Sequence, residues 1–283
     1  MNSIGLAHLT LLRLSPPELV GVAAEAGYDF VGVRVRAATA GENQYPMAAG
    51  SPMSRETVRR LRDTGLRVRD IEFLSLGPET GPGDWRPVLD AGAALGATTL
   101  SAVGADPDRQ RLTDTLAALT EDAMTVGIRP TLEPISYQPI STVADAAAIA
   151  APAGAAVLLD ALHIQRGGSS LDDVRALDPD LVPCLQVCDA PLATPAHLDL
   201  PADLPMGMKA DGSVLQVEAR AHRLLAGDGE LPLAELVAAV PEDVPLSVEV
   251  PNAVLQNALS ALEFARRNLD GLRRVLATVG SHV

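Results

Sequence analysis

The apolar residues of the chain follow two alternating periods. Short runs with every second position apolar read as strands, and the stretches between them, apolar every third or fourth residue, read as helices. Residues 3–9 form the first run, with His8 near its end. Ser15 and Pro16 then supply a helix start, and Leu19, Val22, Ala23 and Ala26 share one face as far as Gly27. In the run 29–36, Val31, Val33 and Val35 take one side while Gly32, Arg34 and Arg36 take the other and are expected to face inward. A long loop of small residues, 37–53, is expected to contribute to a lid, and a helix follows over 54–65. The run 66–76 sets Ile71 and Phe73 opposite Asp70 and Glu72; a helix over 84–96 and a strand over 98–103 come next. After Asp106 and Pro107, the residues Leu112, Leu116, Leu119, Ala123 and Val126 step by 4, 3, 4 and 3, an amphipathic helix.

Four later runs share one layout. The segments 129-RPTLEPIS-136, 155-AAVLLDALH-163, 181-LVPCLQVCDA-190 and 245-PLSVEVPN-252 each read as a buried strand ending on a polar group: Glu133, Asp160, Gln186 and Glu249. Alternation puts each group on the side away from an aliphatic face that packs on helices. The four converge only if their strands are parallel neighbours around one axis. Consecutive strands of a closed α/β barrel meet that condition, and such barrels carry their chemistry at the C-terminal strand ends. Helices are expected over 142–150, 171–177, 233–240 and from 257 onward. The step from Glu133 to Asp160 is 27 residues and from Asp160 to Gln186 is 26, each one strand–helix unit. The step from Gln186 to Glu249 is 63. Its excess falls in 189–229, expected as an enlarged loop over the mouth. The reading is therefore one (β/α)8 TIM barrel over 1–283, in the α/β class.

Composition narrows the function. The 283 residues include 36 Asp+Glu and 22 Lys+Arg, a net charge of −14. That argues against binding a phosphate backbone, which Lys and Arg drive, and no nucleic-acid partner is expected. The longest apolar stretch, 146–159, is broken by Pro152 and Gly154, so no membrane span is expected. The N-terminus shows no basic region and no clear cleavage pattern of a secretory signal, and the expected location is the cytoplasm. Cys184 and Cys188 are too far apart along one strand for a disulfide and are expected as reduced thiols in the core.

Crowded carboxylates repel: two charges 4 Å apart cost about 4 kcal/mol at an effective dielectric of 20. Without a counter-charge one of them takes up a proton. A divalent cation held by Glu133, Asp160, Glu249 and the amide oxygen of Gln186 removes the conflict. The all-oxygen set favours Mg²⁺ or Mn²⁺ over zinc or cobalt. Such a site suits proton abstraction next to a carbonyl, with an enediolate stabilised by the ion and a ligand carboxylate as base. His163, three residues beyond Asp160, is a candidate acid, base or substrate-binding group; the competing reading is a histidine bonded to backbone at a helix start. Arg220 and Arg223 could grip a substrate carboxylate or phosphate, or be surface residues. Arg34 could do the same, or pair with Asp70 or Glu72, and pairing is the expectation for Arg36. His8 is the remaining candidate substrate contact, with packing as its alternative. The expected ligand is a small polyhydroxylated molecule, and self-association is left open.

These segments resemble the xylose isomerase-like TIM barrels, the sugar phosphate isomerases and epimerases. The resemblance rests on LEP at Glu133, LLDALH at Asp160 and His163, LQVCDAP at Gln186, R-x₂-R-x₃-G-x-G-E-L from Arg220 and PLSVEVPN at Glu249. It implies one divalent metal on the Glu, Asp, His-or-Gln and Glu positions, with the two glutamates moving protons. D-tagatose 3-epimerase and hydroxypyruvate isomerase usually carry His where this chain has Gln186. Bacterial 3-dehydroshikimate dehydratases look similar at that point, yet the strand DIEFLSL lacks the histidine they use. Endonuclease IV, His-rich and basic toward DNA, is a poor match. The resemblance implies an isomerase or epimerase of a hydroxyketone or sugar derivative in carbohydrate metabolism. The alternatives are a lyase that dehydrates a cyclic keto-polyol (3-dehydroshikimate- or inosose-like) and a sugar-binding barrel without turnover.

Overall fold

The structure is a computed structural model and describes residues 2–39, 41–202, 204 and 212–279. Among these residues the strands are β1 (Ile4–Leu6), β2 (Phe30–Arg34), β3 (Arg67–Leu76), β4 (Thr99–Gly104), β5 (Arg129–Glu133), β6 (Ala156–Val157), β7 (Leu159–Asp160), β8 (Leu185–Val187) and β9 (Leu246–Val248). All neighbours run parallel in the order β6-β5-β4-β3-β2-β1-β9-β8-β7. β6 and β7 are two halves of one strand position, interrupted at Leu158, whose amide donates to the Leu132 carbonyl at 3.1 Å. The first half pairs with β5 and the second with β8, so the sheet closes into a barrel.

The surrounding helices are α1 (Pro16–Ala26), α2 (Pro52–Thr64), α3 (Pro82–Leu95), α4 (Arg109–Met124), α5 (Val143–Ala150), α6 (Ala161–Gly167), α7 (Leu171–Arg175), α8 (Val214–Ala221), α9 (Leu233–Ala239), α10 (Ala253–Ala258) and α11 (Ala261–Val279). Their starts follow local chemistry. Glu18 reaches back to the Ser15 amide at 2.8 Å, and Ser51 and Asp108 accept from the amides of Ser54 and Arg111. Gly27 ends α1 at φ 95°, a conformation glycine adopts without strain. α6 and α10, of 7 and 6 residues, are not among the helices expected from the sequence pattern. α8 lies inside the segment 189–229 that the pattern leaves as loop.

The outward faces of the strands, including Val31, Val33, Ile71, Leu100, Leu132, Leu159, Leu185 and Leu246, are buried against the helices. Each fully buried side chain of this kind stabilises by about 1.5–3 kcal/mol. Inside the barrel, Phe30, Leu158 and Cys184 form a separate apolar cluster. Gly5 makes room for it, since a Cβ there would lie 2.0 Å from the Phe30 ring. That plug closes one end of the barrel interior, and polar side chains gather at the other, C-terminal end. Both cysteines are buried free thiols, as expected. No helix among the described residues is long and apolar enough to cross a membrane.

Candidate active site

Glu133 and Asp160 are the last residues of β5 and β7, Gln186 is central in β8, and Glu249 follows β9 directly. Register sets Asp160 beside Gln186 and Gln186 beside Ser247. Parallel pairing thus brings the four groups to one end, all of them buried. Glu133, Asp160 and Glu249 each offer a carboxylate oxygen within 4.8 Å of the others. The Gln186 amide nitrogen donates to Glu249 Oε1 at 2.8 Å, while its buried Oε1 has no hydrogen-bond partner. Three convergent carboxylates and an orphaned amide oxygen fit the donor set of a hard divalent cation.

Arg223 departs from its expected place on a substrate-facing loop. It is 1% exposed and wedged among the carboxylates. Its Nη1 donates to Asp160 Oδ2 at 2.6 Å, and its Nη2 lies 3.2 Å from Glu249 Oε2. The cause is a backbone pairing just beyond it: Asp189 and Leu224 exchange hydrogen bonds of 2.7 and 2.8 Å, drawing the chain after α8 down onto the strand ends. Asp189 also accepts from the amides of Ala190, Gly227 and Leu231. The G-D-G-E stretch 227–230 is therefore a wrap around one carboxylate. α8 is tied to α6 by the buried pair Arg166–Glu218 at 2.7 Å.

One arginine does not neutralise three acids. Burial raises the pKa of Glu133 well above the ordinary carboxylate value, and the charges of Glu249 and Asp160 add to this. Burial likewise pushes Glu249 up to about 8, against the opposing pull of Arg223. Asp160 goes the other way: burial disfavours its charge, but Arg223 and His163 together hold it below the usual range. The split follows distance, since the guanidinium is closer to Asp160 than to Glu249. Two carboxyls that resist ionisation when packed in protein alone are ready for a cation.

His163 enters the site because Asp160 caps α6, accepting the His163 amide at 3.0 Å. Ser136 meets the ring at Nδ1, with its Oγ at 3.1 Å and its amide at 3.4 Å. The ring Nε2 lies 4.0 Å from Glu133 Oε1 and 3.5 Å from Arg223 Nη2. Burial lowers its pKa to about 4, only partly offset by Asp160, so at neutral pH the ring is uncharged. Tyr137 packs edge-on against it, ring centroids 5.7 Å apart, and Arg220 lies 5.9 Å over the other ring of the stack, that of Tyr137. Arg220 lines the cavity, as expected.

The cavity has a volume of about 250 Å³. Arg34 lines it but is already ion-paired, with Glu42 at 2.9 Å and Glu72 at 3.4 Å. Arg36, expected inward beside Asp70 or Glu72, lies past the end of β2, exposed and 3.7 Å from Asp84. A register shift between Val31 and Gly32 and the end of β2 at Arg34 break the alternation that the expectation rested on. His8 does not line the cavity. Its Nδ1 accepts the Arg34 amide at 2.9 Å and its Nε2 donates to the Leu14 carbonyl at 2.8 Å, so both nitrogens serve as a backbone staple. Ser136, Tyr137, Glu42 and Glu72 are cavity or ring contacts that were not singled out as site residues. For Ser136 and Tyr137, the signal was their place directly after Glu133 in EPISY.

No curated protein sequence matches the chain. Solved structures that share its fold include the following three. The IolI protein with a bound zinc atom is 16% identical at a TM-score of 0.76, covering 98% of this chain and 99% of its own. The probable 3-DHS dehydratase AsbF, involved in petrobactin synthesis, from Bacillus anthracis is 15% identical at a TM-score of 0.70, covering 96% and 99%. The D-allulose 3-epimerase from Methylomonas sp. is 16% identical at a TM-score of 0.67, covering 97% and 98%. At such identities the likeness speaks for the fold. The sequence itself carries the family: the model of the xylose isomerase-like TIM barrel matches residues 20–274, and the chain belongs to that family.

Proposed function

We propose that the protein is a divalent-metal-dependent isomerase or epimerase of a small hydroxyketone or sugar derivative. One observation carries this reading: Glu133 and Glu249, both buried and both resisting ionisation, face one cavity beside Asp160 and the orphaned oxygen of Gln186. Glu133, Asp160, Gln186 and Glu249 would hold the ion, Mn²⁺ or Mg²⁺ by the all-oxygen set; zinc is the metal bound in the IolI structure. When bound, a divalent cation supplies Lewis-acid polarisation of substrate oxygens. The chain's own groups move the proton. One glutamate takes it from the carbon beside the carbonyl, and the other returns it to the neighbouring carbon or the opposite face. Arg223 keeps Asp160 ionised, His163 orients the substrate as a neutral ring, and Arg220 on Tyr137 bounds the open side.

The lyase alternative needs an acid beside a leaving hydroxyl. His163 is the group best placed for it, and its pKa of about 4 makes it a poor proton donor at neutral pH, which favours the isomerase. A binding protein without turnover could use the same carboxylates as cation ligands, and proton exchange is what separates it from the enzyme. On this reading residues 1–283 form one barrel domain with the segment 189–229 over its mouth, of which residues 203 and 205–211 lie outside the described residues. It works in the cytoplasm on a polyhydroxylated small molecule, without nucleic-acid or membrane partners.

The test is proton exchange in D₂O with Mn²⁺ and a panel of ketoses and keto-cyclitols, followed by NMR and mass spectrometry. Deuterium should enter at the carbon next to the carbonyl. Glu249→Gln should abolish exchange, while His163→Asn should slow turnover and leave exchange detectable. A product lighter by one water with new ultraviolet absorbance would replace the isomerase by the dehydratase. Exchange unaffected by Glu249→Gln would remove the proposed chemistry.

A further inference from the structure

Two of the three arginines offered by the sequence as anion clamps are already matched to carboxylates. Arg34 pairs with Glu42 and Glu72, and Arg223 with Asp160 and Glu249. The charge of the whole cavity follows from the same accounting. Among the described residues, Arg34, Arg220 and Arg223 line it together with Glu42, Glu72, Glu133 and Glu249. Asp160 lies directly behind, against Arg223. Three cations and five carboxylates leave two negative charges, the amount a divalent ion cancels. Deeper in the barrel, burial and the neighbouring Glu72 push Asp70 up to about 7, only partly offset by Arg69, and it does not line the cavity. Counted over the described residues, the loaded site is therefore neutral before any substrate arrives. Moving a proton from substrate to a glutamate leaves that balance unchanged.

The end of the cavity at Arg34 also has a particular hydrogen-bonding character. Arg34 is 6% exposed, and its Nε is buried without a partner. Ser101 lines the same cavity with a buried hydroxyl that has no partner. Glu42 and Glu72 stand on either side of the guanidinium, each holding a backbone amide, of Ala38 and His8, at 2.9 Å. Donor and acceptor groups side by side suit a hydroxyl, which both gives and takes a hydrogen bond. An anion at that end would face two carboxylates for one guanidinium.

We infer that the substrate is an uncharged polyol ketone, its hydroxyls remote from the reacting carbons held by Arg34, Glu42, Glu72 and Ser101, and that sugar phosphates and carboxylate-bearing polyols are excluded. The inference rests on the proposed metal-dependent proton transfer for the charge of the loaded site. The binding end at Arg34 stands on its own contacts.

The experiment is calorimetric binding of D-fructose, myo-inositol, D-fructose 6-phosphate and quinate to the full chain, with and without Mn²⁺. Binding of Mn²⁺ itself is titrated separately, so failure of the metal reading registers in that titration alone. At least one uncharged probe should bind, and at least tenfold more tightly than its charged counterpart, in both conditions, because Glu42 and Glu72 flank the Arg34 guanidinium with or without the ion. Glu42→Gln keeps the shape and removes one charge. It should shift the ratio of phosphate to fructose affinity about tenfold toward the phosphate without changing Mn²⁺ affinity. Arg34→Met should weaken the neutral probes at least tenfold, and if it fails to fold, Glu42→Gln decides. Tighter binding of either charged probe, no binding of either neutral one, or a ratio unmoved by Glu42→Gln overturns the inference.

Discussion

Replacing Arg223 by methionine, similar in length and without charge, separates the two ways this site can balance its acids. In the metal-free protein Arg223 supplies the only guanidinium within ion-pair reach of Asp160 and Glu249 among the described residues, at 2.6 and 3.2 Å, and it is 1% exposed. Removing one partner of such a buried pair costs about 3–5 kcal/mol, because the charge left behind cannot reach water. For a chain of this size each kcal/mol moves the melting temperature by roughly 2–4 °C, so Arg223→Met in EDTA should melt on the order of 10 °C below wild type. A divalent ion at a hundred times its Kd returns about 2.7 kcal/mol to any protein that binds it only when folded. In the variant the ion meets a more negative site and binds more tightly, so its stabilisation should exceed that of wild type. Differential scanning fluorimetry of both proteins, in EDTA and in Mn²⁺, reads all four melting temperatures. A loss in EDTA under about 1 kcal/mol, or a Mn²⁺ shift no larger in the variant, would refute the counter-charge role.

Two further outcomes follow from the fold. His8 is neutral in the folded protein, with its pKa lowered to about 4 by burial, against 6.5 for the free side chain; the unfolded chain therefore takes up the proton first, and stability that is complete above pH 6.5 falls by up to about 3 kcal/mol as pH drops toward 4. His8→Gln should remove that part of the slope in urea denaturation between pH 7 and pH 5, and an unchanged slope would show that the ring is free to protonate in place. A methyl group at Gly229 would lie 2.4 Å from Asp189 Oδ1 and 2.6 Å from the Ala190 carbonyl; Gly229→Ala should therefore cost about 1–3 kcal/mol by overpacking, whereas wild-type stability in denaturant titration would mean the wrap around Asp189 is loose.

The strand ends were legible because their signal is local. Glu133, Asp160, Gln186 and Glu249 each close a short apolar run, and parallel pairing carries that one-dimensional pattern into a ring. The place of Arg223 among the carboxylates was not legible, for the opposite reason. Its burial depends on the pairing of Asp189 with Leu224, residues 35 apart, and nothing near Arg223 in the chain marks it. His8 shows a related limit: its inward place could be inferred, but the two backbone groups that occupy its ring nitrogens come from residues 14 and 34. Arg36 failed where β2 stopped, since alternation says which side a residue takes and not where the strand ends. The short helices α6 and α10 were not read from the apolar pattern, although Asp160 and Asn252 cap them in the usual way.

The ring at the barrel mouth is not symmetric, and the asymmetry bears on which carboxylate moves a proton first. Glu249 is gripped at both oxygens, Oε1 by the Gln186 amide at 2.8 Å and Oε2 by Arg223 at 3.2 Å. Asp160 is held in the same way, by the His163 amide and by Arg223. Among the described residues Glu133 has only the His163 ring, at 4.0 Å, and no guanidinium within ion-pair distance. Its pKa is accordingly driven well above the ordinary value, with burial as the largest cause. A carboxylate fixed at both oxygens is a good ligand and a constrained base, because a proton arriving there must displace a donor. One without such donors accepts or releases a proton without breaking the ring. The geometry thus ranks the pair without removing either: Glu249, held with Asp160 and Gln186 on the rigid side of the cation site, is the more constrained base, and Glu133 is the freer one.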